Sequence, residues 1–490
     1  MPKRPFAAKG DVPAPLVDGI ARLAARLGLP GDFPEDVLRE AGRLAASAPA
    51  RSGREDLTGL PFVTIDPPGS KDLDQALLIE RSGDGFRVWY AIVDVAAWVP
   101  PDSLVAVEAT RRGQTYYAPN VRLPLYPPVL CEGAASLLPD GVPRPANVWR
   151  IDLDAAGAVD DVAVIRAFVA STAQLAYPGV QAAIEDGSVP EPLRWLKTVG
   201  ELRLAQERAR GGVSLNLPEQ DIVADGPHWR CEFRTPAPVE NWNAQISLLT
   251  GFCAAGLMRR GGVGILRTLP VAREADVDLL RHIAATLHLA WPPGTGYPDF
   301  VRSLDPGVPA DQAMMNACTL LFRGAAYTVI GSAEDTGHMP HGALASEYAH
   351  TTAPLRRLVD RYTGEICAGL AVGEPVPDWV RSGLDGLPGA MASSDRRAKA
   401  YERGIIAMTE ALVLSGRVGQ RFQGVVIDVD QRDPRRGVAS VPSVAVEAPV
   451  SSAAPLTLGA ETTLTLTHVD VAQGQVAFTA DGPAAQAGDR

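Results

Sequence analysis

The chain has 490 residues, 46% of them apolar and 21% charged. That composition supports the core of about three domains and excludes disorder, a collagen-like repeat and a small disulfide scaffold. A formal net charge of −11 argues against nonspecific coating of nucleic acid, while leaving room for a narrow basic channel inside an acidic exterior. The opening MPKRPFAAKGDVPAPL has no apolar stretch of the kind a secretory signal needs. The longest nearly uninterrupted apolar run, around Leu248 to Met258, is too short to span a bilayer. Cys131, Cys231, Cys253, Cys318 and Cys367 are scattered and show no CxxC spacing, so reduced thiols, no zinc site and a cytoplasmic location are expected.

Residues 1–14, rich in Pro, Lys and Gly, read as a mobile segment. Leu16, Ile20, Leu23 and Leu27 then recur at helical spacing up to Gly28, a C-cap candidate, and a second helix starts near Pro34 with Val37, Leu38, Ala41 and Leu44 on one face. From residue 57 the period changes. FVTID (62–66), ALLIE (76–80) and FRVWYAIVDVAAWV (86–99) read as strands, with a turn at 82–85. A helix over 102–112, strands around 146–169 and helices near 190–211 and 239–260 follow, and helices dominate 308–415. Hairpins mixed with packed helices predict an α+β fold rather than a doubly wound sheet. After Gly416, about five short β-rich runs separated by turn signals predict a small closed barrel, and the tail DGPAAQAGDR is low in complexity.

TIDPPGSKDLDQAL carries the most chemical information. Asp66 ends a strand, Pro67-Pro68-Gly69 compels a compact loop, and Asp72 and Asp74 point the same way in an extended segment. Crowded carboxylates repel one another, and a divalent cation such as Mg²⁺ or Mn²⁺ is the natural compensation. A solvated acidic turn is the plainer alternative for the isolated pattern. No EF-hand spacing and no phosphate-binding glycine loop is present, so no nucleotide cofactor is expected.

These residues resemble the signature of the RNase II/RNB exoribonucleases. The likeness continues through VWYAIVDVAAWV, RRGQTYYAP with LPLYP, RGGVSLNLPE and EYAHTTAPLRRLVDRY, in order and at suitable separations over about residues 33 to 415. The resemblance implies a hydrolytic, Mg²⁺-dependent, processive 3′→5′ exoribonuclease that releases nucleoside 5′-monophosphates from single-stranded RNA. It puts Asp66, Asp72 and Asp74 on the family's first three signature aspartates, as metal ligands, with Asp72 and Asp74 also catalytic. Gln75 takes the fourth position, where the family pattern has Asp, as a neutral ligand. Arg356 falls on the catalytic arginine and Glu402, in KAYER, on a glutamate facing the site. Tyr117 falls on the tyrosine that stacks on the terminal base, and Arg357 and Arg112 are further candidate RNA contacts. Tyr116 reads as a core tyrosine and His350 as a structural hydrogen-bond partner.

TTAPLRRLVDRY reads as a helix start, with Thr351 or Thr352 as cap and Pro354 in the first turn, leaving free N–H groups as an anion site. The ordinary alternative pairs Arg356 with Asp360 on the helix surface. The expected organisation is a helical element over 1–55, an RNB-like catalytic domain over 56–415 and an OB-fold RNA-binding barrel over 416–490. The helices of 15–47 form a small helix-turn-helix-like unit or pack on the core. The resemblance also implies two cold-shock barrels ahead of the core, for which about thirty residues leave no room. A shallow salt dependence and digestion close to a duplex are therefore expected. The alternative function is a catalytically weak RNA-binding or regulatory relative, suggested by Gln75 and the acidic charge.

Overall fold

The computed structural model describes residues 12–215, 219–225, 228–234 and 236–481. Residues 1–11 of the expected mobile segment, 216–218 of RGGVSLNLPE and 482–490 of the tail lie outside the described residues.

Alternating apolar residues build a seven-stranded sheet in the order Glu55–Asp56, Val159–Val169, Arg144–Leu153, Gly85–Val93, Gln75–Ser82, Phe62–Asp66 and Ser171–Ala176. Only residue 170 separates the strand near one edge from the strand at the other. Residues 55–56 run parallel to 167–168, and residues 62–66 parallel to 171–176. The sheet therefore curls until its edges meet along one pair of chain segments, which leaves little open edge. Phe62, Leu77, Tyr90 and Trp149 are buried in its core.

Helix Leu358–Ala371 packs on strand Val159–Val169 and against Pro238–Gly261, while Leu387–Val413 packs on Ala14–Arg26 and on Ala326–Val329. The mixture is α+β, as the sequence predicted. A short antiparallel pair, Ile265–Thr268 with Ala326–Val329, was not foreseen. Both N-terminal helices pack on the core. Ala14–Arg26 lays Leu16, Ile20 and Leu23 against Tyr401, Ile405 and Met408, while Glu35–Ala46 contributes Val37 and Ala41 to the main core. A closed five-stranded barrel follows, with strands Arg421–Val429, Arg436–Val441, Val446–Ser451, Glu461–Asp470 and Gln475–Ala480.

One expected boundary is corrected. The helix expected to start at Thr351 starts at Leu358, with Arg357 in extended conformation as its N-cap. Residues 354–356 form a turn instead, and the amides of Ala353 and Leu355 do not make a free anion site. Ala353 N–H donates to Asp360 Oδ1 (2.7 Å) and Leu355 N–H to Asp74 Oδ1 (2.7 Å). The surface pairing of Arg356 with Asp360 is not formed either, because the neighbouring Arg357 takes Asp360, at 2.8 Å.

Candidate active site

The aspartate loop is shaped by its own polar groups. Gly69 adopts φ +83°, a left-handed conformation that a Cβ would strain. Ser70 donates to Pro67 O through both its N–H (3.2 Å) and its hydroxyl (2.9 Å). Gln174 Nε2 holds Ser70 O at 2.7 Å from the neighbouring strand. On the other limb the Ser136 hydroxyl accepts from Leu73 N–H (2.9 Å) and donates to Lys71 O (2.6 Å). The loop is thereby clamped on both limbs, which places Asp66, Asp72 and Asp74 with little freedom.

The carboxylates differ in their partners. Asp74 is 3% exposed. Its Oδ1 accepts from Leu355 N–H, and its Oδ2 lies 3.4 Å from Arg356 Nε. Burial, together with the charges of Asp72 and Asp360, holds its pKa well above the usual carboxylate range despite Arg356. Burial pushes Asp66 up to about 7; Arg356 opposes this, Asp72 adds to it, and no hydrogen bond contributes. Asp72 is paired with Arg122, which also pairs with Glu132.

Arg122 reaches Asp72 from a two-stranded hairpin in which it lies opposite Tyr117. Burial, and next the charge of Asp72, raise the Tyr117 hydroxyl above the usual phenol range, with Arg356 and Arg122 opposing. Tyr117 thus sits in the field of both arginines and the aspartates. Tyr116 points the other way: it is 1% exposed, and its hydroxyl donates to Arg112 O at 3.0 Å. His350 is a structural partner as expected, its Nδ1 lying 2.6 Å from the Tyr327 hydroxyl.

Three expected site residues are placed differently. The Gln75 Oε1 accepts from the Tyr90 hydroxyl, which also shares a 2.8 Å contact with the Ser247 hydroxyl, so its carbonyl oxygen is already engaged. Arg112 is 1% exposed, bonded to Glu108 Oε1 (2.7 Å) and to Gly31 O (2.8 Å), and stacked over Phe33. That makes it a packing residue with no reach to a ligand. Arg357 is committed to Asp360 in a buried pair. Glu402 lies on Leu387–Val413, two turns beyond Asp395 and on the same face. Asp395 on this helix accepts from Gln114 Nε2 (3.4 Å), whose backbone bridges to Arg357, and pairs with Arg267 Nη2 (3.2 Å).

The expected metal quartet is not assembled as a cage. Among the described residues no group of three or more His, Cys, Asp or Glu side chains could hold an ion. Arg122 has taken Asp72, and Tyr90 has taken Gln75. Asp66, half-buried, and Asp74, buried, are the hard-oxygen donors of the expected set whose pKa is raised. Sequence reading missed Arg122 and Glu132. The hairpin that aligns Tyr117 with Arg122 was the available signal, but YYAPNVRLPLYP has no alternation to mark two-residue strands.

A curled mixed sheet carrying a clamped aspartate loop paired with arginines, followed by a closed five-stranded barrel, defines the class of protein. The chain belongs to the RNB-domain family: the RNB domain matches residues 54–367, and the RNase II-type exonuclease C-terminal S1 domain matches residues 420–481. It is similar to Ribonuclease R of Vibrio parahaemolyticus, 26% identical over 82% of this chain and 51% of that one. It is likewise similar to Exoribonuclease 2 of Erwinia tasmaniensis, 30% identical over 77% of this chain and 60% of that one. The chain spans about half the length of the Ribonuclease R relatives it matches. In fold it is similar to Mycoplasma genitalium RNase R in complex with ribose methylated single-stranded RNA, with a TM-score of 0.86, 19% identity and coverage of 95% and 78% of the two chains. Yeast Ssd1, a pseudonuclease, shares the fold at a TM-score of 0.65 and 14% identity, over 81% and 50% of the two chains. Among the described residues no helix is long and apolar enough to cross a membrane.

Proposed function

We propose that the protein is a processive 3′→5′ exoribonuclease that hydrolyses single-stranded RNA to nucleoside 5′-monophosphates with a divalent cation, Mg²⁺ or Mn²⁺. The observation that carries this reading is Arg356 set 3.4 Å from Asp74 on a clamped aspartate loop, with Tyr117 in the same field. Asp66 and Asp74 hold the cation. When bound, it supplies charge stabilisation at the phosphoryl oxygens and acidifies a water. Arg356 neutralises charge developing on the scissile phosphate. Tyr117 stacks on the 3′-terminal base, a contact every base can make. The barrel adds affinity for the strand.

A second reading, a catalytically weak RNA-binding relative, is favoured by Gln75, whose uncharged side chain is engaged by Tyr90. Release of mononucleotides from a short oligo(A) in Mg²⁺, followed on a sequencing gel, separates the two. Stepwise shortening from the 3′ end supports hydrolysis, and RNA binding without any monomer supports the second reading.

A further inference from the structure

The segment that carries Arg356 backs onto a small cavity of about 10 Å³. Val93, Asp94 and Asn147 form its wall on the sheet side, and Thr351, Asp360 and Arg361 its wall on the arginine side. Both walls hold Asp74: Val93 N–H donates to its backbone O (3.0 Å) and Leu355 N–H to its Oδ1 (2.7 Å). The two carboxylates on the walls are already engaged. Asp94 accepts from Arg54 Nη2 (2.5 Å) and Ala97 N–H (3.3 Å), and Asp360 from Ala353 N–H (2.7 Å) and Arg357 Nη2 (2.8 Å).

Three other lining side chains each keep one atom with no hydrogen-bond partner among the described residues: Asn147 Oδ1, Thr351 Oγ1 and Arg361 Nε. All three residues are at most 5% exposed, and an unpaired polar atom at such depth is costly. Arg361 is held in place by Nη2, which donates to Val99 O at 2.6 Å. The chemistry of the three atoms selects the occupant. Arg361 Nε–H only donates, Asn147 Oδ1 only accepts, and the Thr351 hydroxyl does either. The Arg361 guanidinium disfavours a cation, and Asn147 Oδ1 with the Asp94 and Asp360 charges disfavours an anion. Water both accepts and donates, and the volume suits one water and nothing larger.

We propose that this cavity binds a single water, held by Asn147, Thr351 and Arg361, which ties strand Arg144–Leu153 to the turn carrying Arg356. The water accepts from Arg361 Nε, donates to Asn147 Oδ1 and makes its third bond with the Thr351 hydroxyl. Asn147 and Thr351 are positioning residues: they act through the placement of Leu355 N–H and Arg356 against Asp74. The kinetic side of this inference rests on the nuclease reading, whereas binding of the water does not.

A high-resolution crystal structure of the parental full chain is the first test. It is expected to show one solvent peak within about 3.2 Å of all three atoms, and no peak there would overturn the inference. The second test compares Thr351→Val, which keeps the shape and removes the hydroxyl, with Thr351→Ser, which keeps a hydroxyl. With the water bound, the valine variant loses one of its bonds, so its urea midpoint should fall. Amide exchange at Ala353 and Leu355 should quicken by about tenfold, and kcat on oligo(A) should fall by about tenfold with KM little changed. Thr351→Ser should recover all three. A midpoint that rises in Thr351→Val would show that its hydroxyl had no partner, which contradicts a bound water. A lower midpoint with parental amide exchange and kcat would overturn the positioning role. If Thr351→Val does not fold, the solvent peak decides. A parental chain that releases no monomer would overturn the nuclease reading alone, and the solvent peak and amide exchange would still decide the inference.

Discussion

At the scale of single residues, Asp74 shows a conflict between function and stability. Its carboxylate is buried beside Asp72 and Asp360 and is held well above the usual range. Asn keeps the shape and an acceptor for Leu355 N–H while removing that charge. Asp74→Asn should therefore lower turnover on oligo(A) by about a hundredfold or more. Its thermal midpoint should hold or rise, because the desolvation cost goes with the charge. Turnover and differential scanning calorimetry on the same preparation check both halves, and near-parental turnover would remove Asp74 from the cation site. Tyr117→Ala should act on binding. Loss of one stacked base costs about 1–3 kcal/mol, so KM for short oligonucleotides should rise by about tenfold while kcat changes less.

At the scale of elements, helix Pro238–Gly261 packs against the segment leading to the arginine turn. Gly251 lies at the crossing, where Ala349 N–H donates to Gly251 O at 3.1 Å. A Cβ there would meet Tyr348 Cε2 at 2.1 Å and Ala349 O at 2.6 Å. In an open helix, Gly to Ala gains about 1 kcal/mol. Here the sign reverses, because one close atom is backbone, and Gly251→Ala should destabilise by about 1–3 kcal/mol. Urea unfolding followed by circular dichroism measures it, and a stabilised variant would show that the contact yields. The same segment explains the misread boundary: Thr351 and Pro354 are good helix-start residues, but Asp74 and Asp360 claim the amides a first turn would use. Partners distant in sequence outweighed local preference.

At the scale of the whole molecule, half-buried imidazoles make stability depend on pH. Burial, reinforced by Arg357 and Arg267, holds His350 well below 6.5, and burial with Arg267 holds His341 at about 4. Both are neutral when folded, whereas the unfolded chain takes up these protons near pH 6.5. Their contribution is complete above that pH and is lost as pH falls toward the folded pKa. Raised Asp66 acts in the opposite sense, contributing stability that is lost as pH rises through about 7. Comparing variants separates the two. The stability deficit of His350→Gln relative to the parental protein should shrink below pH 6.5, by up to about 1.4 kcal/mol per pH unit. Urea midpoints at pH 7.5, 6 and 5 test it, and a deficit that does not change with pH would mean His350 is charged in the fold.

Much of the architecture was legible because it is local. Period-2 runs announced 62–66, 76–80 and 86–93, helical spacing announced Leu16 to Leu27, and the final barrel showed as short strands between turns. The aspartate loop and Arg356 became legible only through the family resemblance, because the isolated patterns suit a solvated acidic turn and a helix-surface ion pair. What the chain alone did not decide is which charges neutralise which. Arg122 and Arg112 look alike in sequence, yet one meets Asp72 and the other is sealed against Glu108 and Phe33. Arg356 and Arg357 are neighbours, yet they turn to different aspartates. Gln75, one residue from Asp74, begins a strand whose partner Gly85–Val93 brings Tyr90 to its amide. Ion pairs and hydrogen bonds act over a few ångströms between residues far apart in the chain, so only the folded backbone selects among partners that composition and spacing leave equivalent.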